Sequence, residues 1–207
     1  MPTQDHGFVA LIPVKSPSIG KSRLADAPDR EALARAIALD TIRAASAATS
    51  VRRVLVVTDA DFAPHAAGLG IEVVPDPGGG LNAALRAGAG VAAHTSPDLR
   101  PVALLADLPA LTPAALDAAL GLVGGGAAYC PDADDTGTTL LTSSYDDFDP
   151  RFGARSAAAH AAAGAIAIEG APPGLRRDVD DLATLREAAA IGLGPDTSAL
   201  LARTPHF

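Results

Sequence analysis

Val102-Ala103-Leu104-Leu105-Ala106-Asp107-Leu108-Pro109 is a continuous apolar run that stops on a carboxylate and then turns. A strand with one wet face alternates polar and apolar residues, so a short unbroken run suits a strand covered on both faces. Three more runs of this kind precede it. They are Phe8-Val9-Ala10-Leu11-Ile12-Pro13-Val14, Val51–Thr58 around Val54-Leu55-Val56-Val57, and Ile71-Glu72-Val73-Val74. Ala-rich stretches with helical spacing lie between and after them, at 29–48 (Leu33, Ile37, Leu39, Ile42), 81–93 and 113–122. Strand–helix alternation predicts a mainly parallel sheet with helices on both faces. Residues 127–144 break the pattern with two β-like runs around Pro131-Asp132-Ala133-Asp134-Asp135, so antiparallel additions are expected there. A late helix is expected over 181–191, with Asp180 or Asp181 as its N-cap.

At 207 residues, one core can serve the whole chain, and residues 1–207 read as a single domain. Gly78-Gly79-Gly80 and Gly124-Gly125-Gly126 read as loops, because the alternation continues across them. Cys130 is the one cysteine, which excludes an internal disulfide and fits a reducing cytoplasm. The N-terminus shows no basic start before a long apolar run, and no apolar stretch reaches membrane-spanning length. A formal net charge of −8 disfavours broad nucleic-acid binding. An anionic small substrate stays compatible with that charge, since local groups and metals decide its binding. A homodimer is also compatible with the chain.

Five segments carry candidate chemistry. Lys15-Ser16-Pro17-Ser18-Ile19-Gly20-Lys21-Ser22-Arg23-Leu24 follows the first strand, where open α/β sheets bind ligands. Lys15, Lys21 and Arg23 can meet several phosphate oxygens there. Gly20-Lys21-Ser22 looks like a P-loop ending, but Lys15 stands where that motif needs its first glycine. The plain alternative is a solvated basic loop. Asp107, at the end of its strand, sits where a hard cation could bridge phosphates. Thr112-Pro113 supplies its own helix cap and first residue, so Asp107 is not needed for capping.

In Arg176-Arg177-Asp178-Val179-Asp180-Asp181, an extended backbone would turn Asp178 and Asp180 the same way. Two like carboxylates side by side are costly without a cation. Asp181 can cap the next helix, and Asp107, Asp178 and Asp180 together could hold two metal ions. Asn82, in Gly80-Leu81-Asn82-Ala83-Ala84, could read a base or ribose edge or cap a helix. Thr136-Gly137-Thr138-Thr139, with Arg151-Phe152-Gly153-Ala154-Arg155-Ser156, could cradle a phosphate or carboxylate, or form ordinary turns. The five histidines show no metal-ligand spacing, and His160 reads as isolated.

Taken in order, these residues resemble the guanylyltransferase family of deazaflavin coenzyme F-420 biosynthesis, called CofC or FbiD. The likeness rests on Pro13-Val14-Lys15 with Lys21-Ser22-Arg23-Leu24, then Gly80-Leu81-Asn82-Ala83-Ala84 and Asp107-Leu108-Pro109-Ala110-Leu111. It continues in Thr136-Gly137-Thr138, Arg151-Phe152-Gly153 with Ser156, and Gly174-Leu175-Arg176 before Asp178-Val179-Asp180. Ala106 departs from it, since many members carry Gly before the Asp.

The resemblance implies a Rossmann-like nucleotidyltransferase fold. This is the nucleotide-diphospho-sugar transferase-like type, three layers around a mixed, mainly parallel sheet. It implies a cytoplasmic enzyme that couples GTP to phosphoenolpyruvate with magnesium, releasing pyrophosphate. The acceptor alternatives are 2-phospho-L-lactate and 3-phosphoglycerate. A non-catalytic nucleotide-binding module is the alternative of another class. The resemblance places the acceptor on Thr138, Gly153 and Ser156 and two magnesium ions on Asp107, Asp178 and Asp180. It leaves the triphosphate to Lys15, Lys21 and Arg23 and the guanosine to Asn82 and its neighbours. Asp107, Lys21 and Arg23 would then carry catalysis.

Overall fold

Seven strands form one sheet in the computed structural model, which describes residues 7–15 and 29–203. The strands are β1 (Phe8–Val14), β2 (Val51–Thr58), β3 (Glu72–Pro75), β4 (Arg100–Leu104), β5 (Ala128–Pro131), β6 (Thr138–Thr142) and β7 (Ile166–Ala167). Their order is β3-β2-β1-β4-β6-β5-β7. The pairs β1–β2, β1–β4, β2–β3 and β5–β7 are parallel, and β6 runs antiparallel to both β4 and β5. The sheet is therefore mixed and mainly parallel, and the antiparallel strand lies in the region expected to break the alternation.

Every residue of β1 is buried, as its unbroken apolar run requires. Ala10, Ile12 and Val14 pack on one face with Ala38 and Ile42 of helix α1 (Arg30–Ala47) and Leu116 of α4 (Pro113–Gly121). The alternate residues Val9 and Leu11 pack on the other face with Ala84, Leu85 and Ala92 of α3 (Leu81–Thr95). A period of two along the strand thus feeds two helical layers. The helix starts follow local chemistry. Asp29 caps α1 by accepting from the Ala32 N–H, and Thr112 caps α4 ahead of Pro113. A short α2 (Ala63–Ala67) lies between β2 and β3.

The chain after β6 adds α5 (Ser156–Ala162), a single turn α6 (Pro173–Arg176), α7 (Leu182–Ile191) and α8 (Pro195–Leu201). Asp181 caps α7 through a capping box with Thr184. Neither α8 nor β7 was anticipated from the sequence pattern. Among the described residues, no helix is long and apolar enough to cross a membrane.

Candidate active site

The chain runs outward from β1 through β2 to β3, then crosses back to place β4 on the other side of β1. That reversal opens a crevice beyond the carboxyl ends of the strands, where open α/β sheets take ligands. A cleft of about 310 Å³ lies there. Lys15 from the end of β1, Asp107 beyond β4 and Asp76 beyond β3 line it, with apolar walls from Ala38, Val57, Leu81 and Ala84. Lys15 is exposed directly after β1, and Lys21 and Arg23 follow it in the sequence. Those two residues lie outside the described residues.

The Asp107 turn is held from two sides. Thr41 of α1 accepts from the Leu108 N–H at 3.1 Å, and Val179 donates its N–H to the Asp107 carbonyl at 2.9 Å. Val179 is fully buried in a small cluster with Leu33, Ile37, Ala110 and Leu185. Its two neighbours are consequently turned outward: Asp178 is half-buried and Asp180 exposed. Burial, followed by the negative charges of Asp107, Asp180 and Asp132, pushes the Asp178 carboxyl up to about 7. Asp107, far back in the sequence, thus acts on Asp178 together with its near neighbour Asp180. Among the described residues, however, no three His, Cys, Asp or Glu side chains already surround a single point. A hard divalent cation fits this all-oxygen donor set and would relieve the unfavourable charge on Asp178.

The Thr138 side lies next to this rim. Leu104 pairs with Leu140, and Leu105 donates its N–H to the Thr139 carbonyl at 3.0 Å. Thr138 is therefore level with the Ala106–Asp107 turn. A bulge between Cys130 and Pro131 in the β5–β6 register lets Thr138 face α5. Ser156 opens α5, 2% exposed, and its N–H donates to the Gly153 carbonyl at 3.2 Å. Gly153 has φ of 138°, a conformation that favours glycine. Ala157 N–H donates to the Thr136 carbonyl at 3.2 Å, tying α5 to the β5–β6 loop. Thr138, Gly153 and Ser156, 18 residues apart at their extremes (138 to 156), come into one neighbourhood.

Asn82 departs from one of the two expectations for it, the helix cap. Its amide donates to the Phe152 carbonyl and accepts from the Phe152 N–H, each at 2.9 Å. Gly80 occupies the cap position of α3 instead. One donor and one acceptor of Asn82 are thus committed to the main chain of the Phe152 loop, and the amide keeps a second N–H and a second lone pair. Reading within one segment could not see a partner 70 residues away. Sequence reasoning also passed over His160, whose ring bonds both Thr138 and Arg151. The available signal was its place four residues after Ser156, one turn along the same helix. Arg176 was missed as well. Its guanidinium holds the Pro131 and Asp132 carbonyls and pairs with Asp135, latching the β5–β6 loop to the turn before Asp178.

The strand order, with a cleft at the strand reversal, defines an α/β fold of the nucleotide-diphospho-sugar transferase-like type. A structure assigned to the nucleotide-diphospho-sugar transferases, from Desulfovibrio desulfuricans G20, superposes with a TM-score of 0.62 at 19% identity. It covers 90% of this chain and 96% of its own. Rv0371C of Mycobacterium tuberculosis H37Rv, solved in complex with manganese, gives a TM-score of 0.54 at 20% identity over 88% of this chain and 98% of its own. These likenesses are of fold. The family model described as "Guanylyl transferase CofC like" matches residues 8–164, and the chain belongs to that family. The phosphoenolpyruvate guanylyltransferase of Salinispora arenicola is 48% identical over 202 residues, covering 93% of this chain and 92% of the relative.

Proposed function

We propose that the protein transfers the guanylyl group of GTP to phosphoenolpyruvate, yielding enolpyruvyl-diphospho-guanosine and pyrophosphate for coenzyme F-420 biosynthesis. The observation that supports the chemistry is Asp107 lining the cleft, with its turn bonded to the Val179 N–H and its charge, with that of Asp180, acting on Asp178. The likeness to the Salinispora enzyme over nearly the whole chain supports the choice of acceptor.

The apolar walls of the cleft suit the flat guanine ring, and Lys15 neutralises part of the triphosphate charge. Lys21 and Arg23, six and eight positions further along the sequence, complete that cradle in this proposal. Asp107, Asp178 and Asp180 hold magnesium, two ions in this proposal; bound there, magnesium supplies charge neutralisation between donor and acceptor phosphates. The manganese complex of the fold neighbour is consistent with a divalent cation in this fold. Thr138, Gly153 and Ser156 orient the acceptor so that a phosphate oxygen faces the α-phosphorus of GTP. A new P–O bond forms at the α-phosphorus while its bond to the bridging oxygen of the β-phosphate breaks, and pyrophosphate leaves. A phosphate oxygen is already ionised at neutral pH, so no side chain need act as general base. Catalysis is positioning and charge neutralisation.

Asp107→Asn is the direct test. Pyrophosphate release should fall by about a hundred- to a thousandfold with the fold retained, the scale of losing one preorganised electrostatic group. Activity near the parent level would reject the carboxylate assignment. Crossing each nucleoside triphosphate with phosphoenolpyruvate, 2-phospho-L-lactate and 3-phosphoglycerate settles donor and acceptor. Release with none of these pairs would favour a nucleotide-binding module.

A further inference from the structure

His160 is 1% exposed on α5, and both of its ring nitrogens are engaged. Nε2 faces the backbone N–H of Arg151 at 3.0 Å, and Nδ1 faces the hydroxyl of Thr138 at 3.0 Å. An N–H can only donate, so Nε2 must be the acceptor and carry no proton. The other neutral tautomer would oppose two donors across that gap. The ring proton therefore sits on Nδ1 and is donated to Thr138 Oγ1. Burial, followed by the positive charge of Arg151, lowers the imidazole to about 4, which keeps it neutral at ordinary pH.

The consequence falls on Thr138. Its hydroxyl accepts from His160 and so keeps its own proton to donate. Thr138 is only 3% exposed, and among the described residues its hydroxyl is given no protein acceptor. A buried donor left unspent is unfavourable, so the site is built for an oxygen that arrives with a ligand. The ring is also held in place: it packs edge-on to Phe152 at 5.2 Å and 73°, and lies 6.0 Å from Tyr129. Asn82 clamps Phe152, the residue after Arg151, through both amide atoms. Two consecutive backbone units leading into Gly153 are thus pinned, one by His160 and one by Asn82.

We propose that His160 is a positioning residue which fixes the Thr138 hydroxyl as a hydrogen-bond donor to an anionic oxygen of the acceptor. This rests on the acceptor reading above and adds the residue that sets its polarity. His160 itself touches no substrate; it acts through Thr138 and the Arg151 loop.

The test is a KM split. His160→Gln can still accept from Arg151 but no longer directs the Thr138 proton. It should raise KM for phosphoenolpyruvate about tenfold while KM for GTP stays within about twofold, the scale of one charge-assisted hydrogen bond. Thr138→Val should give a similar rise, and the double variant should be no worse than Thr138→Val alone. If His160→Gln leaves both constants unchanged, or raises both alike, the positioning role is wrong. If Thr138→Val leaves the phosphoenolpyruvate constant unchanged, the acceptor reading itself has failed, and that result needs no His160 variant. Should His160→Gln fail to fold, the imidazole ¹⁵N spectrum of the unliganded parent at neutral pH decides. An Nδ1–H tautomer at His160 is expected, and an Nε2–H or doubly protonated ring would overturn the inference.

Discussion

Gly174 is where a single hydrogen atom of side chain keeps the site assembled. A Cβ there would lie inside contact distance of the Ala110 carbonyl, on the turn that carries Asp107. The close approach brings α6 against that turn, and two residues on Arg176 reaches the β5–β6 loop. Gly174→Ala should therefore push the Asp178 segment away from Asp107. We expect pyrophosphate release to fall about tenfold or more with a stability loss of about 1–3 kcal/mol, the scale of overpacking. Steady-state kinetics beside a thermal melt would check this; parent activity in a folded variant would refute it. The Gly174-Leu175-Arg176 string was visible in the sequence, but its purpose was not, because Ala110 lies 64 positions earlier (174 − 110). Asn82 and His160 teach the same lesson. Their residue types announced polarity, while their partners were set by chain crossings that local spacing does not encode.

At the level of elements, the caps were legible and the ties between elements were not. Thr112 and Asp181 cap their helices as the local sequence indicated, and Asp29, not read as a cap there, does the same for α1. Asp117 does something else: from α4 it accepts from the N–H and hydroxyl of both Thr49 and Ser50, at 2.5–2.9 Å. Those residues form the turn into β2, so one carboxylate joins a helix to a strand entry. Partial burial alone would raise its carboxyl, but the bonds from Ser50 and Thr49 outweigh that and bring it down to about 2. A depressed carboxylate adds stability above its unfolded value of about 3.9 and loses it as pH falls through the folded value. Asp117→Asn should cost about 1–2 kcal/mol at neutral pH, discounted for partial exposure. Denaturant midpoints of variant and parent should converge between about pH 4 and pH 2. A constant gap across that range would contradict the account.

Across the whole molecule, the C-terminal helix depends on a buried acid from the opposite end of the chain. Asp40 of α1 is 3% exposed and accepts from the N–H groups of Asp196 and Thr197 at 2.8 Å each, serving as the N-terminal cap of α8. Burial raises its carboxyl, so the charge is carried at a cost that the two bonds offset only in part. Asp40→Ala should remove about 1–2 kcal/mol, lowering the melting temperature by roughly 3–8 °C. Amide exchange should show α8 opening first, while α3 keeps its protection. Equal loss of protection across both helices would argue against a local anchor.

The apolar runs, by themselves, determined a two-sided sheet, since a strand without polar alternation must be covered twice. They also put Asp107 at a strand end, and with it the rim on which ligands sit. The order of motifs along the chain was enough to mark the family. Only the tertiary structure decided that the Val179 N–H meets the Asp107 carbonyl, that Asn82 clamps the Phe152 backbone, and that His160 faces Thr138. Strand and helix periods arise from neighbours a few residues apart, whereas these contacts form when distant segments are folded onto one another.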